Sequence, residues 1–504
     1  MWQVADEMRF AMSKFAVVTT SLALIGALFI GTPAAVYAVA NDIYVGANDD
    51  ATGASSCADP DFSTDPSDES SINAALDAAL GAIDDDADTV IICDGDYTYA
   101  ADITLHDGAV RHDVINIEAA AGADVTLDGN SLHQLLMFDN VTSVSVTGIN
   151  FLDGETANYG AAIKIYDGTL SVVGCNFTSN TAEWGGAIYS EPGHVTISGS
   201  YFTNNSASDS GGAIEVWNAV DGEGVTITDS NFTGNFLAEG AAISVDGAAN
   251  AAIIEVTDSE FVNNYGKYGA ITIDNGTVEL TNVVMEGNYN TTGEGGAVWA
   301  GQGLTATDSE FTNNGAPQNG GAIYVSGDLE VTRSQFSNNS SGDGSGGGAI
   351  EVEDCDTVLV SDSAFQGNIA GATGGGAINF YSCASDADVV VSRNSFTGNS
   401  AGRYGGAVDQ DDDNFVIHYV RNTFTNNIVS DVTEGLDQGG GEGGAVYAWN
   451  ATFSSNLFTR NRASAKGGAV FAWDSRVARA ARRSRFSGNR ARRGSDVYQS
   501  RSGQ

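Results

Sequence analysis

The hydrophobic residues of this chain fall mainly in short segments in which every second side chain is apolar. Val225-Thr226-Ile227-Thr228 and Ile323-Tyr324-Val325 are examples, and Gly, Asn, Asp and Ser separate such segments. Alternation places successive side chains on opposite faces of a strand, whereas a helix needs apolar residues three and four positions apart. No repeat shows convincing helical spacing. The pattern therefore predicts many short β-strands joined by turns.

Two sequence landmarks alternate along most of the chain, as in Gly320-Gly321-Ala322-Ile323 and Phe336-Ser337-Asn338-Asn339. The alanines of the Gly-Gly-Ala-Ile/Val landmark and its degenerate copies are Ala162, Ala187, Ala213, Ala242, Ala270, Ala297, Ala322, Ala349, Ala377, Ala407, Ala445 and Ala469. The first residues of the Phe-x-x-Asn landmark are Phe177, Phe202, Phe232, Phe261, Met285, Phe311, Phe336, Phe365, Phe396, Phe424, Phe458 and Phe486. Repetition at this period indicates a solenoid.

Each repeat of about 27 residues has room for three short strands and three turns, which suits one coil of a parallel β-helix. A leucine-rich repeat would show a leucine and asparagine ladder, and a propeller blade needs about 40 residues for four antiparallel strands. We therefore predict an all-β fold, a single-stranded right-handed parallel β-helix of the pectin-lyase type with about 15 coils and an N-terminal cap.

Stacking explains the residue types, because each landmark lies above its own copy in the next coil. We expect the phenylalanines to form an internal aromatic column. We expect the asparagines to form a ladder at a turn, where Asn tolerates left-handed backbone and its amide can bond to the next coil. The double glycine supplies backbone freedom where the coil bends.

The alternation of Gly-Gly-Ala-Ile/Val with Phe-x-x-Asn resembles the repeat of the polymorphic outer membrane proteins, the chlamydial-type autotransporter passengers. The resemblance covers about residues 160 to 490. It implies a surface-displayed passenger, often adhesive, followed by a C-terminal membrane barrel. The chain departs from that pattern, since the 18 residues after Phe486 are too few for a barrel.

Four regions are predicted along the chain: a signal peptide at 1–40, a cap with the first strands at 41–110, the β-helix at 111–490 and a basic tail at 491–504. Arg9 and Lys14 precede an apolar run, and Ala38-Val39-Ala40 offers a cleavage site. An uncleaved anchor is the alternative. No later stretch is apolar enough to span a bilayer, so we expect no transmembrane segment after removal of the signal.

The cap is predicted to contain a short amphipathic helix that covers the open end of the first coil. Its apolar residues at helical spacing are Ile72, Ala75, Leu76, Ala79, Leu80 and Ile83. An uncapped end would expose both core side chains and strand edges.

The five cysteines of an exported chain are candidates for disulfides. Cys57 and Cys93 bracket the cap. Cys355 and Cys383 each follow the landmark alanine of adjacent coils by six residues, and equivalent positions in adjacent coils lie about 4.8 Å apart, within the range that a disulfide spans. We therefore predict the pairs Cys57–Cys93 and Cys355–Cys383, and a buried thiol at Cys175.

Charge is unevenly distributed. The chain has 65 acidic and 21 basic residues, and the basic residues are concentrated between Arg460 and Arg501. The acidic body argues against nucleic acid as its partner. It suits solubility in high salt or loosely bound Ca²⁺, with simple solvation as the other interpretation. The basic end could contact an acidic polymer, the body of another copy, or nothing specific. We expect no cofactor and no defined metal site.

The residue three positions before each repeat phenylalanine forms a predicted column. Its members are Asp229, Asp258, Asn282, Asp308, Arg333, Asp362, Arg393 and Arg421. Parallel β-helix lyases combine carboxylates, Ca²⁺ and a basic residue, which makes the column a candidate for catalysis. An exposed ladder of ion pairs is the favoured interpretation, because the pattern recurs at one repeat position. We therefore assign no catalytic residue.

A second column follows the landmark Ile or Val by one residue, and alternation predicts that it faces outward. We expect Trp299, Tyr324, Glu351 and Asp409 to form an exposed strip that stacks on sugar rings or grips a protein. Ordinary aromatic contacts between coils are the alternative.

Two functions compete. The leading hypothesis is a secreted or cell-surface protein, in some settings associated with an outer membrane, that acts by display and adhesion to a glycan or protein on a host or neighbouring cell. It follows from the export signal, the family-like repeat and the lack of a catalytic constellation. The alternative is a polysaccharide-active enzyme, a lyase or glycoside hydrolase, that uses the exposed carboxylate and aromatic strip.

Overall fold

The protein forms a stack of parallel β-coils. The computed structural model describes residues 42–46, 57, 62–63, 75–76, 79, 89–102, 104–105, 112–219, 222, 224–237, 242–246, 252–342, 344, 346–371, 373–430 and 440–500. Four parallel sheets run along the stack, with 16, 15, 11 and 15 strands. We call them sheets A, B, C and D, in the order in which a coil passes through them. The predicted solenoid of parallel strands is confirmed.

Most strands of sheet A are four to eight residues long, and their apolar residues point into the core where the structure describes the side chains. In stacking order they are Phe62–Ser63, Asp42–Gly46, Thr89–Ile92, His112–Ala119, Val141–Thr147, Thr169–Val173, Val195–Ser198, Gly224–Thr228, Ala252–Thr257, Gly276–Thr281, Gly303–Thr307, Asp328–Thr332, Thr357–Ser361, Asp388–Ser392, Val416–Val420 and Ala451–Ser454.

Sheet B begins with short strands of the first coils and continues with the phenylalanine landmark. Its strands are Gly95–Thr98, Val125–Asp128, Ile149–Leu152, Asn176–Thr178, Tyr201–Thr203, Asn231–Thr233, Glu260–Val262, Val284–Glu286, Glu310–Thr312, Gln335–Ser337, Ala364–Gln366, Ser395–Thr397, Thr423–Thr425, Leu457–Thr459 and Arg485–Ser487.

Sheet C consists mostly of two-residue strands that link sheet B to the glycine landmark. They are Thr181–Trp184, Ser206–Ser210, Phe236–Leu237, Tyr265–Gly266, Tyr289–Asn290, Gly315–Ala316, Ser340–Ser341, Ile369–Ala370, Ser400–Ala401, Ile428–Val429 and Arg462–Ala463.

Sheet D follows the Gly-Gly-Ala landmark. Its strands are Thr104–Leu105, Leu136–Asp139, Ile163–Tyr166, Ile188–Glu191, Ile214–Trp217, Ile243–Asp246, Ile271–Ile273, Val298–Ala300, Ile323–Ser326, Ile350–Glu353, Ile378–Tyr381, Val408–Gln410, Val446–Ala448, Val470–Ala472 and Val497–Gln499.

The stack has about 13 turns, slightly fewer than the sequence predicts, because the outermost strands of the longer sheets belong to incomplete turns. It also continues beyond residue 490, where we predicted a basic tail. Val497–Gln499 pairs in parallel with Val470–Ala472 and so forms the last strand of sheet D.

The phenylalanines form the internal column that the sequence predicts. Neighbouring rings such as Phe202 and Phe232 are stacked, with centroids 4.6 Å apart and planes 2° from parallel. All the rings from Phe151 to Phe458 in this column are fully buried. Met285 occupies the same position between Phe261 and Phe311. Burial of one large apolar side chain per coil is a substantial part of the driving force for stacking.

The asparagine ladder also forms, with one correction to its backbone geometry. Its members are Asn180, Asn205, Asn235, Asn264, Asn288, Asn314, Asn339, Asn368, Asn399, Asn427, Asn461 and Asn489. The left-handed residue is the one before each of them. Asn204 has φ 54° and Asn338 has φ 56°. The preceding residue turns the chain, which leaves the ladder asparagine free to point inward and bond to the next coil.

The glycine landmark is required by close contact between coils. Gly320 has φ 60°, which favours glycine. At Gly321 a Cβ atom would lie 2.2 Å from the carbonyl oxygen of Gly348 in the next coil. Adjacent coils therefore touch backbone to backbone at this bend, and no larger residue fits there.

Helical residues lie near both ends of the stack. Of the predicted cap helix, Ala75, Leu76 and Ala79 are described; they are helical and buried, and the other predicted positions lie outside the described residues. Ser475–Ala481 is an α-helix that the sequence analysis did not predict. It packs against Ala451–Ser454, the last strand of sheet A, and covers that strand's open edge.

Both predicted disulfides are present in the structure. The Cα atoms of Cys57 and Cys93 lie 5.5 Å apart, and those of Cys355 and Cys383 lie 4.4 Å apart. Cys175 is a buried thiol, and burial raises its pKa to about 11. The predicted signal peptide, residues 1–40, lies outside the described residues.

Candidate functional site

The predicted strip on sheet D is largely covered, which corrects the sequence analysis. Glu351 and Asp409 are each only 1% exposed, and Tyr324 is 7% exposed. Trp299 alone among the four is partly exposed. Three of the four predicted strip residues are therefore out of direct reach of a ligand.

The cover comes from the segment that leads into the sheet D strand of the same coil, the glycine landmark included. The backbone N–H of Gly347 donates a 2.7 Å hydrogen bond to Oε2 of Glu351. In another coil the Ser210 hydroxyl donates a 2.6 Å hydrogen bond to Oε2 of Glu215. Sheet C and the turn after it fold back over sheet D. Alternation identifies the outward face of sheet D but does not show that this face is covered.

Covered carboxyl groups resist ionisation. Burial holds the pKa of Glu351 well above its usual range, although Asn379 and the Gly347 N–H hydrogen bond to it. Burial and the nearby Asp411 carboxylate raise the pKa of Asp409 well above its usual range, and its Oδ1 has no hydrogen-bond partner. Neither group is placed to act on an external substrate.

A groove opens where the outward column of sheet D carries small residues. In register, Glu215 is followed by Ser244, then Thr272, then Trp299. The small side chains of Ser244 and Thr272 leave space under the cover, and a cavity of about 580 Å³ results. Its described lining residues are Trp184, Asp209, Ser210, Trp217, Ser244, Asp246, Lys267, Tyr268, Thr272, Asp274, Asn275 and Trp299. We call this cavity the sheet D groove.

Trp299 forms one end of the sheet D groove and is held firmly. Its ring stacks on Tyr324 of the following coil, with centroids 5.9 Å apart and planes 8° from parallel. Its indole also hydrogen bonds to Glu294, which accepts a 2.7 Å hydrogen bond from Asn319. The neighbour of Trp299 on the other side is the much smaller Thr272. The indole face opposite Tyr324 is therefore turned toward the cavity.

Two further tryptophans form the other end. Trp184, at the end of a sheet C strand, meets Trp217 of sheet D edge to face, with ring centroids 5.6 Å apart. Edge-to-face contacts between aromatic rings are favourable because the ring quadrupoles attract. The groove is thus bounded by aromatic rings at both ends, and its floor carries the hydroxyl groups of Ser244 and Thr272.

A hydrogen-bonded set of carboxyl groups lies beside the floor. Asp246 accepts a 3.0 Å hydrogen bond from Ser244 and also bonds to Glu215 and Ser210. Burial, and then the Asp246 charge, raise the pKa of Glu215 well above its usual range. The folded protein therefore favours the protonated form of Glu215 more than the unfolded chain does. Burial, with the nearby Asp274, also raises the pKa of Asp246.

The rim of the groove carries most of the remaining charge. Asp274 is exposed, and partial loss of its surrounding water raises its pKa. Asp209 lies on the sheet C side. The ammonium group of Lys267 lies 5.3 Å from the centroid of the Tyr268 ring. Three aspartates and one lysine line the cavity, so the groove is negative when these groups are ionised.

The Asp and Arg column forms exposed ion pairs, in the manner of the favoured interpretation. Arg333 donates to both oxygens of Asp308, at 2.7 and 2.8 Å, and Arg393 donates to both oxygens of Asp362. Arg333 thus pairs with the preceding coil instead of lying evenly between Asp308 and Asp362. The pairing lowers the pKa of Asp308 and of Asp362. The paired side chains are about half exposed to solvent.

Sequence reasoning missed most of the groove. It singled out Trp299 but not Trp184, Trp217, Asp246 or Asp274. A signal was available in the outward column, where Ser244 and Thr272 interrupt a series of larger side chains next to Trp299. The sheet C residues carry no such signal, because their position over the groove depends on how each turn folds back.

Two negative findings apply to the described residues. No group of three or more His, Cys, Asp or Glu side chains there is arranged to hold a metal ion. No helix in the described part of the chain is long and apolar enough to cross a membrane.

Comparison with known families agrees with the repeat and the fold. The family model of the right-handed beta helix region matches residues 212–384. The family model of the Chlamydia polymorphic membrane protein repeat matches residues 174–191 and 199–216. The chain therefore carries both features, as the sequence predicted. No curated protein matches the chain significantly.

Proposed function

We propose that this protein is displayed at a cell surface or released from it, and that it adheres to a ligand through the sheet D groove without altering that ligand chemically. The observation that carries the proposal is the groove itself, a cavity of about 580 Å³ with tryptophan rings at both ends and hydroxyl groups on its floor. Cavities of this size that combine aromatic walls with a few polar groups are typical ligand sites. The match to the polymorphic membrane protein repeat supports display at a surface.

The scaffold suits binding because its aromatic groups are fixed before a ligand arrives. Trp299 is held by Tyr324 and Glu294, and Trp184 and Trp217 hold each other. A pre-organised side chain loses little conformational entropy on binding. The groove is also formed by a continuous stack of paired coils, which hold its walls in place.

Binding of the full-length chain to intact cells and immobilised glycans tests the proposal. We expect binding that Trp299→Ala and Trp217→Ala weaken strongly. Trp449→Ala is the matched control, since Trp449 stacks on Trp473 at 4.2 Å and does not line the groove. Full binding by both groove variants, or no binding to any surface or glycan, would overturn the proposal.

A polysaccharide-active enzyme is the second candidate, now placed at the groove. Asp274 follows Ile273, whose partner in the preceding coil is Val245, so Asp246 and Asp274 occupy equivalent positions in adjacent coils. The raised pKa of each is a property of general acids, and glycoside hydrolases use two nearby carboxyl groups. One would protonate the glycosidic oxygen while the other activates the water that adds to the sugar carbon. Glu351 and Asp409, the carboxyl groups of the predicted strip, are buried and do not belong to this candidate site.

Release of new reducing ends separates the two candidates. Adhesion predicts none from any polysaccharide that binds. Turnover that is abolished by Asp246→Asn and by Asp274→Asn, with binding retained, would establish the enzyme instead.

A further inference from the structure

The charge of the sheet D groove restricts the ligands that it can hold. Asp209, Asp246 and Asp274 line it, with Lys267 as the only basic residue among the described lining residues. The chain as a whole has a net charge of -44. A uronate or sulfated glycan would therefore meet repulsion both at long range and in the groove. Anionic glycans are excluded as preferred ligands unless cations bridge them.

The position of the carboxylates favours a positively charged ligand. Asp274 lies on the exposed rim, where an ammonium group can reach it while keeping part of its water. Asp246 is more buried, and it already forms hydrogen bonds with Glu215 and Ser244. Asp274 is therefore the residue best placed to form a new charged hydrogen bond with a ligand, and such bonds are among the strong ones.

The aromatic groups favour a sugar ring as the body of that ligand. The open face of Trp299 is turned along the stack toward the space above Thr272. A flat apolar face at that place can stack on the C–H face of a pyranose, whereas Ser244 and Thr272 are 0% and 4% exposed and only form the floor beneath it.

We propose that the sheet D groove binds an amino sugar, a pyranose ring with a free ammonium group, as part of a short glycan segment. Trp299 stacks on the ring and Asp274 accepts a hydrogen bond from the ammonium group. The inference rests on the proposed adhesive function and names its ligand class.

Titration of the full-length chain with glucosamine oligomers tests the proposal, with tryptophan fluorescence and calorimetry as readouts. The N-acetylated oligomer tests the charge, oligogalacturonate tests an anion, and oligolysine tests a charged chain without sugar rings. We expect the glucosamine oligomer to bind at least about tenfold more tightly than each of the others, since one charged hydrogen bond is worth that factor or more. Raised salt should weaken the binding.

Four variants locate the site. Trp299→Ala and Asp274→Asn should each weaken glucosamine binding by about tenfold or more, and Trp449→Ala should leave it unchanged. Trp299→Phe keeps a stacking face, so it should retain much of the affinity and shows that the fold tolerates the site being changed. Circular dichroism checks that every variant is folded.

Each contrary result is informative. If the N-acetylated oligomer bound equally well, the ammonium charge would contribute nothing to recognition. If oligolysine bound equally well, the sugar ring would contribute nothing. Either result, or unchanged glucosamine binding by Asp274→Asn, would overturn the proposal that the ligand is an amino sugar. Cell-surface binding that persists, and remains sensitive to Trp299→Ala, would then leave the adhesive function standing with another ligand.

Discussion

Asn314 donates two hydrogen bonds to the side-chain oxygen of Asn339 in the next coil, one from its backbone N–H and one from Nδ2, each 3.0 Å long. Nδ2 of Asn314 also donates a 2.9 Å hydrogen bond to the carbonyl oxygen of Met285 in the preceding coil. The same arrangement repeats along the ladder, so one side chain joins three coils. This ladder satisfies buried backbone groups at the turn between sheets B and C.

Asn339→Ala should destabilise the fold by about 1–3 kcal/mol, because it leaves the buried N–H of Asn314 without an acceptor. Asn338→Gly is the matched control. Asn338 has φ 56°, and glycine already stands at the equivalent position as Gly367, so this change should be nearly neutral. Denaturant unfolding measures both. If Asn339→Ala left the free energy of unfolding unchanged, water would be supplying the hydrogen bonds that this ladder side chain makes.

The second prediction concerns Cys355–Cys383, which joins adjacent coils with a sequence separation of 28. Replacing both cysteines by Ala should destabilise the protein by about 3 kcal/mol, because the cross-link restricts the unfolded chain. Mass mapping of a nonreduced digest should find Cys355 joined to Cys383. Finding it joined to Cys57 or Cys175 instead would show that the register of the coils is wrong.

The third prediction concerns the pH dependence of stability. The pKa of Asp409 is raised above the ordinary value of 3.8 in the folded state, chiefly by burial. The folded protein therefore holds this proton more tightly than the unfolded chain. The resulting stability is fully present below pH 3.8 and is lost as the pH rises through the raised pKa.

Asp409→Asn removes that dependence because the amide cannot ionise. The melting temperature of the variant relative to the native protein should increase steadily from pH 4 to pH 8. Asp413→Asn, on the exposed turn that follows, is the control for the change in net charge. A difference between Asp409→Asn and the native protein that stays constant with pH would contradict the burial of an ionisable Asp409.

Much of the stacking could be predicted from the sequence because register is repeated in it. Aligning Ala349 with Ala377 placed Cys355 beside Cys383, and the structure has their Cα atoms 4.4 Å apart. The landmarks fix which side chains are in the same column, since every strand pairs with its own copy. Short-range alternation then assigns the inner and outer faces of sheets A and D.

What lies over the outer face could not be predicted in the same way. Glu351 is buried beneath the segment that leads into its strand, where the N–H of Gly347 donates to Oε2, and alternation along the strand does not show this cover. The groove likewise needs Lys267 and Tyr268 above Thr272, and their placement follows from the turn between sheets C and D. Periodicity describes the strands, whereas the site is made by the segments between them.

The unexpected helix has a local cause. Val477, Ala478 and Ala481 are buried and recur at helical spacing, and Asp474 accepts a hydrogen bond from the N–H of Arg476 as an N-cap. The segment is only two turns long and lies inside a repeat, so the strand pattern on both sides concealed it. Tertiary contact with the end of sheet A stabilises a helix too short to persist alone.

The last prediction concerns Met285, which interrupts the phenylalanine column. It pairs in register with Phe261 on one side and Phe311 on the other, and it is fully buried. Elsewhere the same position holds a ring that stacks on both neighbours, as Phe336 does at 4.6 and 4.8 Å.

Met285→Phe should complete the column and stabilise the protein by about 0.5–1.5 kcal/mol, the range for an added aromatic contact. Met285→Ala is the opposite control and should destabilise it by about 2–5 kcal/mol, because it leaves a cavity.

Val283 decides the outcome. It is buried at the turn where neighbouring coils carry Ser259 and Ser309, so this coil has a larger side chain next to the column. A loss of stability in Met285→Phe, reversed by adding Val283→Ser, would show that Val283 fills the space that the missing ring leaves.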